Sequence, residues 1–195
     1  MNNDILENIN RLILEMSSPK ELLKFMKDIK YGLVTTDNKR LYSSDLEKLD
    51  SSAVDWWKDG INIKLLTTDE VLKFKIGSCY DQSLLEYKYL KQMGYIVKFV
   101  FIEPIITDEG SSHSAVFYKE NKQWFWFEHS WGPMKGIHGP FKTIDQGILK
   151  LESLMKKSDP NVSKYYINKD MNVNNILDKH NLTYKDFLNE ARVIK

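Results

Sequence analysis

One cysteine, four histidines and a scatter of carboxylates are the groups in this 195-residue chain that can do nucleophilic or acid–base chemistry. Cys79 heads a segment, 79–93, in which Tyr80, Leu84, Tyr87 and Leu90 recur at helical spacing. Ser78, with Asp81 three positions on, has the pattern of a helix N-cap. A sulfur in the first turn of a helix meets unpaired backbone N–H groups and the positive end of the dipole, which stabilise a thiolate. Such a nucleophile needs an imidazole to take and return its proton, and a third polar group to fix the ring. The other reading of Cys79 is a small buried apolar side chain, and position alone does not separate the two.

His113 stands just before a strand-like run, 114–118, and Glu128 just after a second, 124–127, with the polar turn Lys119-Glu120-Asn121-Lys122 between them. If His113 and Glu128 are directly opposed, residues 119 and 122 pair around a two-residue loop, Glu120-Asn121. Any even-length loop keeps both on one face, because strand side chains alternate. An odd loop brings His129 there instead, so His129 is the second candidate for base or orienting group. Taken singly, His113 reads as a solvated loop-edge histidine and Glu128 as a strand terminator; their shared register gives them weight. His138 and His180 have no acidic or sulfur neighbour at ligand spacing, and a metal site built from Cys79, His113, His129 and His138 is an unspecific alternative.

The elements that must position these groups read as follows. Ile5, Ile9, Leu12, Ile13 and Met16 recur at helical spacing, and Ser18-Pro19 with Glu21 opens a second helix over 19–30. Residues 31–63, with Trp56 and Trp57, read as loop and short elements. Thr67 and Glu70 form a capping-box pattern opening a helix over 68–74, broken by Gly77. Gly94 closes the cysteine helix as a left-handed cap. A strand over 95–102, an acidic loop over 107–112, the hairpin, and a Gly/Pro-containing loop over 132–140 follow. Thr143 and Gln146 then open a helix ending near 157. The tail reads as loop with short amphipathic helices around Ile176-Leu177 and Phe187-Leu188. These stretches group as an N-terminal helical and loop region, 1–66, a core, 67–157, and a C-terminal helical tail, 158–195.

Hydrophobic residues make up 42% and charged residues 28% of the chain, with a formal net charge of +1. That mix excludes disorder for most of the chain and argues against wholesale nucleic-acid or acidic-membrane binding. One cysteine allows no intramolecular disulfide and no Cys-rich zinc site. The most apolar window, 95–106, is interrupted by Lys98, Glu103 and Pro104, and the first residues lack a basic head and an apolar run. The expectation is a cytoplasmic protein without a membrane span.

The order Gly77-Ser78-Cys79-Tyr80-Asp81-Gln82, a long helix, a strand, Ser112-His113-Ser114-Ala115-Val116 and then Trp124-Phe125-Trp126-Phe127-Glu128 resembles the transglutaminase-like superfamily of papain-like fold, most of all its uncharacterised bacterial members. The resemblance covers 67–131. It implies an α+β fold in which a cysteine-headed helix packs on an antiparallel sheet, with Cys79 as nucleophile, His113 as base and Glu128 as orienting acid. It further implies acyl transfer on protein or peptide amides through a thioester, to water or an amine, with no cofactor, no metal, no nucleic acid and no membrane partner; the oligomeric state stays open. Glu128 stands where the family usually has Asp. The family's upstream oxyanion donor has no clear match: Trp56 and Trp57 carry indole N–H groups but read as core or lid residues, and Gln82 reads as a helix-surface polar group. The spacing is also similar to that of arylamine N-acetyltransferases, whose Arg-Gly-Gly approach to the cysteine is absent. Asp108-Glu109 reads as a solvated acidic loop. The competing class is a non-catalytic interaction module with Trp56, Trp57, Trp124, Trp126 and Trp131 as core or contact aromatics.

Overall fold

A computed structural model describes residues 11, 15–42, 62–105 and 111–192. Most of the helix expected over 5–16, the Trp56-Trp57 pair and the acidic pair Asp108-Glu109 lie outside the described residues.

Ser18 and Pro19 start helix α1 (Pro19–Met26), with the Ser18 hydroxyl accepting from the Glu21 amide at 3.4 Å. The helix is shorter than expected. Residues from Lys30 onward are drawn into strand β1 (Lys30–Val34), which pairs antiparallel with β2 (Arg40–Tyr42) and parallel with β3 (Ile76–Gly77). The stretch expected to be loop and short elements therefore holds two strands of a three-stranded sheet, ordered β2-β1-β3. Helix α2 (Thr68–Phe74) has the expected bounds and capping box; Lys75, in the left-handed conformation (φ 55°), caps its end, and Gly77 lies in β3.

Helix α3 (Cys79–Gln92) ends one residue before the expected limit, and Gly94 has the positive φ of a left-handed residue, 88°. It packs against a five-stranded sheet ordered β7-β6-β5-β4-β8, formed by β4 (Ile96–Pro104), β5 (His113–Glu120), β6 (Gln123–Glu128), β7 (Gly136–Phe141) and β8 (Tyr165–Asn168). All its strand pairs are antiparallel, and the fold is α+β. Phe99, Phe101, Val116, Tyr118 and Phe127 face α3. Val100, Ile102, Ala115, Phe117 and Trp126 face the other way, toward helix α4 (Ile144–Ser158). Gly147 lets α4 approach closely: a Cβ there would stand 2.6 Å from Phe117 Cε1.

Two sheet strands were hidden in stretches read as loop. β7 contains Gly136, Gly139 and Pro140, which an edge strand tolerates because its outer N–H groups have no ladder partner. β8 comes from the tail, which then returns through helix α5 (Tyr184–Ala191). Leu22, Leu84 and Phe187, one from each of the three stretches separated in sequence, share one core. No helix among the described residues is long and apolar enough to cross a membrane.

The tail reaches the start of α3. Tyr184 donates to Asp81 Oδ2 at 2.5 Å and lies 2.6 Å from Ser78 Oγ, all three side chains being buried. Removing a buried donor leaves its partners short by about 1–3 kcal/mol. Tyr184→Phe is expected to lower unfolding free energy by about that amount in urea titrations while keeping a single cooperative transition; an unchanged midpoint would mean that the tail does not brace this helix.

Candidate active site

The helix bearing Cys79 is fixed at its first turn from three directions. Ser78 and Asp81 form a capping box, with Ser78 Oγ accepting from the Tyr80 amide at 3.1 Å and Asp81 Oδ2 from the Ser78 amide at 2.9 Å. Asp81 Oδ1 accepts from the Leu66 amide at 2.9 Å. Toward the sheet, Ser114 Oγ donates to the Cys79 carbonyl at 2.7 Å, and Ser83 Oγ donates to the Ser114 carbonyl at 3.0 Å. The residue beside His113 is thus tied to Cys79, and the sulfur is held at the beginning of β5.

The hairpin brings Glu128 to His113 by a different register from the direct opposition considered above. Val116 pairs with Phe127 and Glu120 with Gln123, so the turn is Asn121-Lys122, with φ of 49° and 66°. Two successive positive φ values are those of a type I′ turn, whose twist suits a two-residue hairpin, and Asn tolerates this conformation. The ladder is shifted by two residues, and the parity survives. His113 and Glu128 remain on one face, diagonal rather than opposite. His113 Nε2 and Glu128 Oε2 are 2.8 Å apart. Glu128 Oε1 accepts from Ser130 Oγ and from the Trp131 amide, each at 2.8 Å. Cys79 lines the same cavity as the ring, whose other nitrogen has no partner among the described carboxylates.

Burial alone would lower the His113 pKa, but the Glu128 charge and the hydrogen bond to Cys79 outweigh it and raise it to about 10. Glu128 shifts oppositely: burial would raise its pKa, and the facing imidazolium with the Ser130 and Trp131 donors lowers it. His113 is not a solvated side chain, and Glu128, although it ends β6, is buried against it, with exposures of 8% and 2%. The Trp131 indole stands edge-on to the His113 ring, centroids 5.5 Å apart, and covers it.

Tyr31 is a further site residue that sequence reasoning missed. It lines the cavity with Cys79, and burial together with the neighbouring Cys79 raises its pKa well above the ordinary phenol value, so it stays a proton donor. Register supplies the cause: Tyr31 pairs with Gly77 in the parallel β1–β3 ladder, two residues before Cys79. No local motif marks it.

His129 and Gln82 take other positions than expected. Gln82 is fully buried rather than on a helix surface, its Nε2 donating to the Gly77 carbonyl at 2.7 Å and its Oε1 standing 2.6 Å from His129 Nδ1. Both Gln82 polar atoms are engaged in holding the approach to Cys79. Burial and nearby Lys135 depress the His129 pKa to about 4, leaving the ring neutral, with Nδ1–H donating to Gln82. One turn further along α3, Glu86 is buried with Oε1 lacking a hydrogen-bond partner among the described residues. Burial and the Glu128 charge raise its pKa well above the carboxylate range, so it is a neutral acid behind the charged pair.

Cys79 and His113 open onto a cavity of about 800 Å³ whose wall includes Tyr31, Tyr42 and Trp131. His138 Nε2 lies 2.7 Å from the Met134 carbonyl, away from any metal arrangement. Among the described residues no three His, Cys, Asp or Glu side chains cluster as metal ligands. No protein-family profile matches the chain, and no curated protein matches its sequence.

The His113 shift sets a pH window. Its folded pKa of about 10 exceeds the ordinary 6.5, so its contribution to stability is complete below pH 6.5 and is lost as pH rises through about 10. The excess urea stability of the wild type over Glu128→Gln is therefore expected to shrink between pH 7 and 10. A constant difference over that range would show that the charged pair does not form.

Proposed function

We propose that the protein is a thiol acyl-transfer enzyme of the transglutaminase-like, papain-like kind, acting on protein or peptide amides through Cys79, His113 and Glu128. The observation that carries this reading is the His113 ring, which shares a cavity wall with Cys79, is influenced by its side chain, and is held through Nε2 by a carboxylate with both oxygens engaged. A cysteine-headed helix on an antiparallel sheet whose next strands bear the histidine and the acid supports a papain-like core.

In the proposed reaction His113 holds the thiol proton and the sulfur attacks the amide carbonyl, forming a carbon–sulfur bond. The carbonyl electron pair moves onto oxygen and returns as the carbon–nitrogen bond breaks, with His113 protonating the departing amine. Water, deprotonated by the now neutral ring, attacks the thioester; the carbon–sulfur bond breaks, giving the carboxylic acid and the original thiol. An amine in place of water yields a new amide. Glu128 keeps the ring oriented and balances its charge. The Cys79 amide, at the first helical position, has no intrahelical acceptor and is available to an oxyanion. Tyr31, on the cavity wall with Cys79 and kept protonated, is the side-chain hydroxyl that would donate to the oxyanion beside the Cys79 amide.

Stopped-flow acylation by p-nitrophenyl acetate tests this. A stoichiometric nitrophenolate burst is expected, absent in Cys79→Ala and slowed at least ~100-fold in His113→Ala, with a loss of about 100-fold or more in Glu128→Gln. Slow release indifferent to His113 would instead favour a non-catalytic interaction module. For Tyr31→Phe the expected loss is about 10- to 100-fold in acylation, with iodoacetamide alkylation of Cys79 affected far less; equal losses in both would give Tyr31 a role in thiol reactivity alone.

A further inference from the structure

We infer that the acyl donor taken by this cleft is negatively charged, an acidic peptide with a carboxylate beside the attacked carbonyl, and that water rather than a lysine amine is the acceptor. The inference rests on the nucleophilic reading of Cys79 above and names the substrate class of that site.

Three cations line the cavity: Lys27 and Lys30, from the connection between α1 and β1 and the start of that strand, and Lys135, from the loop before β7. All three are exposed, and none forms an ion pair with a carboxylate among the described residues. Lys27 follows the last turn of a helix, where the dipole favours a cation in any protein. Lys30 opens a strand and has no such reason; its Nζ lies 5.7 Å from the Tyr42 ring centroid, on the cavity wall. Lys135 comes from more than a hundred residues further along the chain. Two segments so distant, one contributing two lysines and the other one, none paired with a carboxylate among the described residues, give the concavity a positive field that a low-dielectric wall concentrates.

Against these stands one acidic lining residue among those described, Asp159, whose Oδ2 accepts from the Ser111 amide at 2.8 Å. The Glu128 charge is compensated by His113 and turned away behind it. An ammonium acceptor would thus enter against the field, whereas a carboxylate-bearing donor would be drawn in. Aromatic and apolar wall residues, Tyr42 and Trp131 among them, suit the peptide's uncharged portions.

Iodoacetate and iodoacetamide alkylate sulfur by the same displacement, forming a carbon–sulfur bond and releasing iodide, and differ in charge. The ratio of their rates on the full chain, divided by the same ratio for free cysteine, reads the field at Cys79. Imidazolium His113 contributes to that ratio in every variant carrying it, so the measured quantity is its change in the triple variant Lys27→Gln, Lys30→Gln, Lys135→Gln. At low ionic strength the ratio is expected to fall at least ~5-fold in the variant, and the wild-type ratio to fall similarly in 1 M salt, where screening acts over about 3 Å. In parallel, ammonia release from a glutaminyl peptide flanked by glutamates should exceed that from its lysine-flanked counterpart by about 10-fold or more. A ratio unmoved by the three substitutions, or equal release from both peptides, overturns the inference. Failure of the nucleophilic reading looks different: iodoacetamide would then react slowly and independently of His113, whatever the ratio.

Discussion

Two opposite charges held out of water, on His113 and Glu128, dictate much of what surrounds them. A buried ion pair offsets its desolvation only when the geometry is good and the remaining lone pairs and protons find partners. Here Oε2 of Glu128 faces His113 Nε2, and Oε1 has two further donors. The two donors to Oε1 come from Ser130 and Trp131, so the turn that ends β6 is shaped by the carboxylate it must satisfy. The same turn brings Trp131 over the imidazole, and the indole that excludes water also borders the cavity.

Helix α3 is the axis on which this depends. Every residue from Cys79 to Glu86 is buried, because the sheet covers one side while β1, β3, α2 and the returning tail cover the others. A helix buried all round cannot leave its polar residues to solvent. Asp81 gathers the Leu66 and Ser78 amides and the Tyr184 hydroxyl, Gln82 ties Gly77 to His129, and Ser83 bonds the Ser114 carbonyl. These bonds fix the helix start in translation and rotation, which is what placing a sulfur and a ring on one cavity wall requires. Tyr80 adds a stack on Phe187 of the tail, ring centroids 4.2 Å apart, so residues more than a hundred positions later help hold the cysteine turn.

What the sequence disclosed and what it hid follow from the range of the interactions involved. Capping boxes at Thr67 and Ser78 are local and were legible, as was the even parity that leaves His113 and Glu128 on one face. The two-residue register shift was not, because it depends on which pair of turn residues adopts positive φ, and Asn121-Lys122 competes with Glu120-Asn121 on nearly equal terms. β1 is polar at its start, where its partner is the distant β3, and β8 lies within a polar tail and pairs with the distant β4. Tyr31 reaches the sulfur by parallel pairing, and Gln82 is buried by elements that pattern along α3 alone cannot reveal.

Three buried carboxyl groups around this helix show how the local donor supply sorts their ionisation. Burial pushes each upward. Glu128 meets that push with a cation and two further donors, and its pKa falls below the ordinary value. Asp81 has no cation, only the Tyr184 hydroxyl and donors from Leu66 and Ser78, and burial prevails enough to leave it at about 6, ionised at neutral pH but not far from its titration. Glu86 has the His129 backbone donor, one oxygen without a partner, and the Glu128 charge nearby, so it stays protonated. The neutral Glu86 matters to the pair in front of it. A second carboxylate there would compete for the imidazolium and raise the Glu128 pKa; kept protonated, it leaves the negative charge concentrated on the one carboxylate that faces the ring.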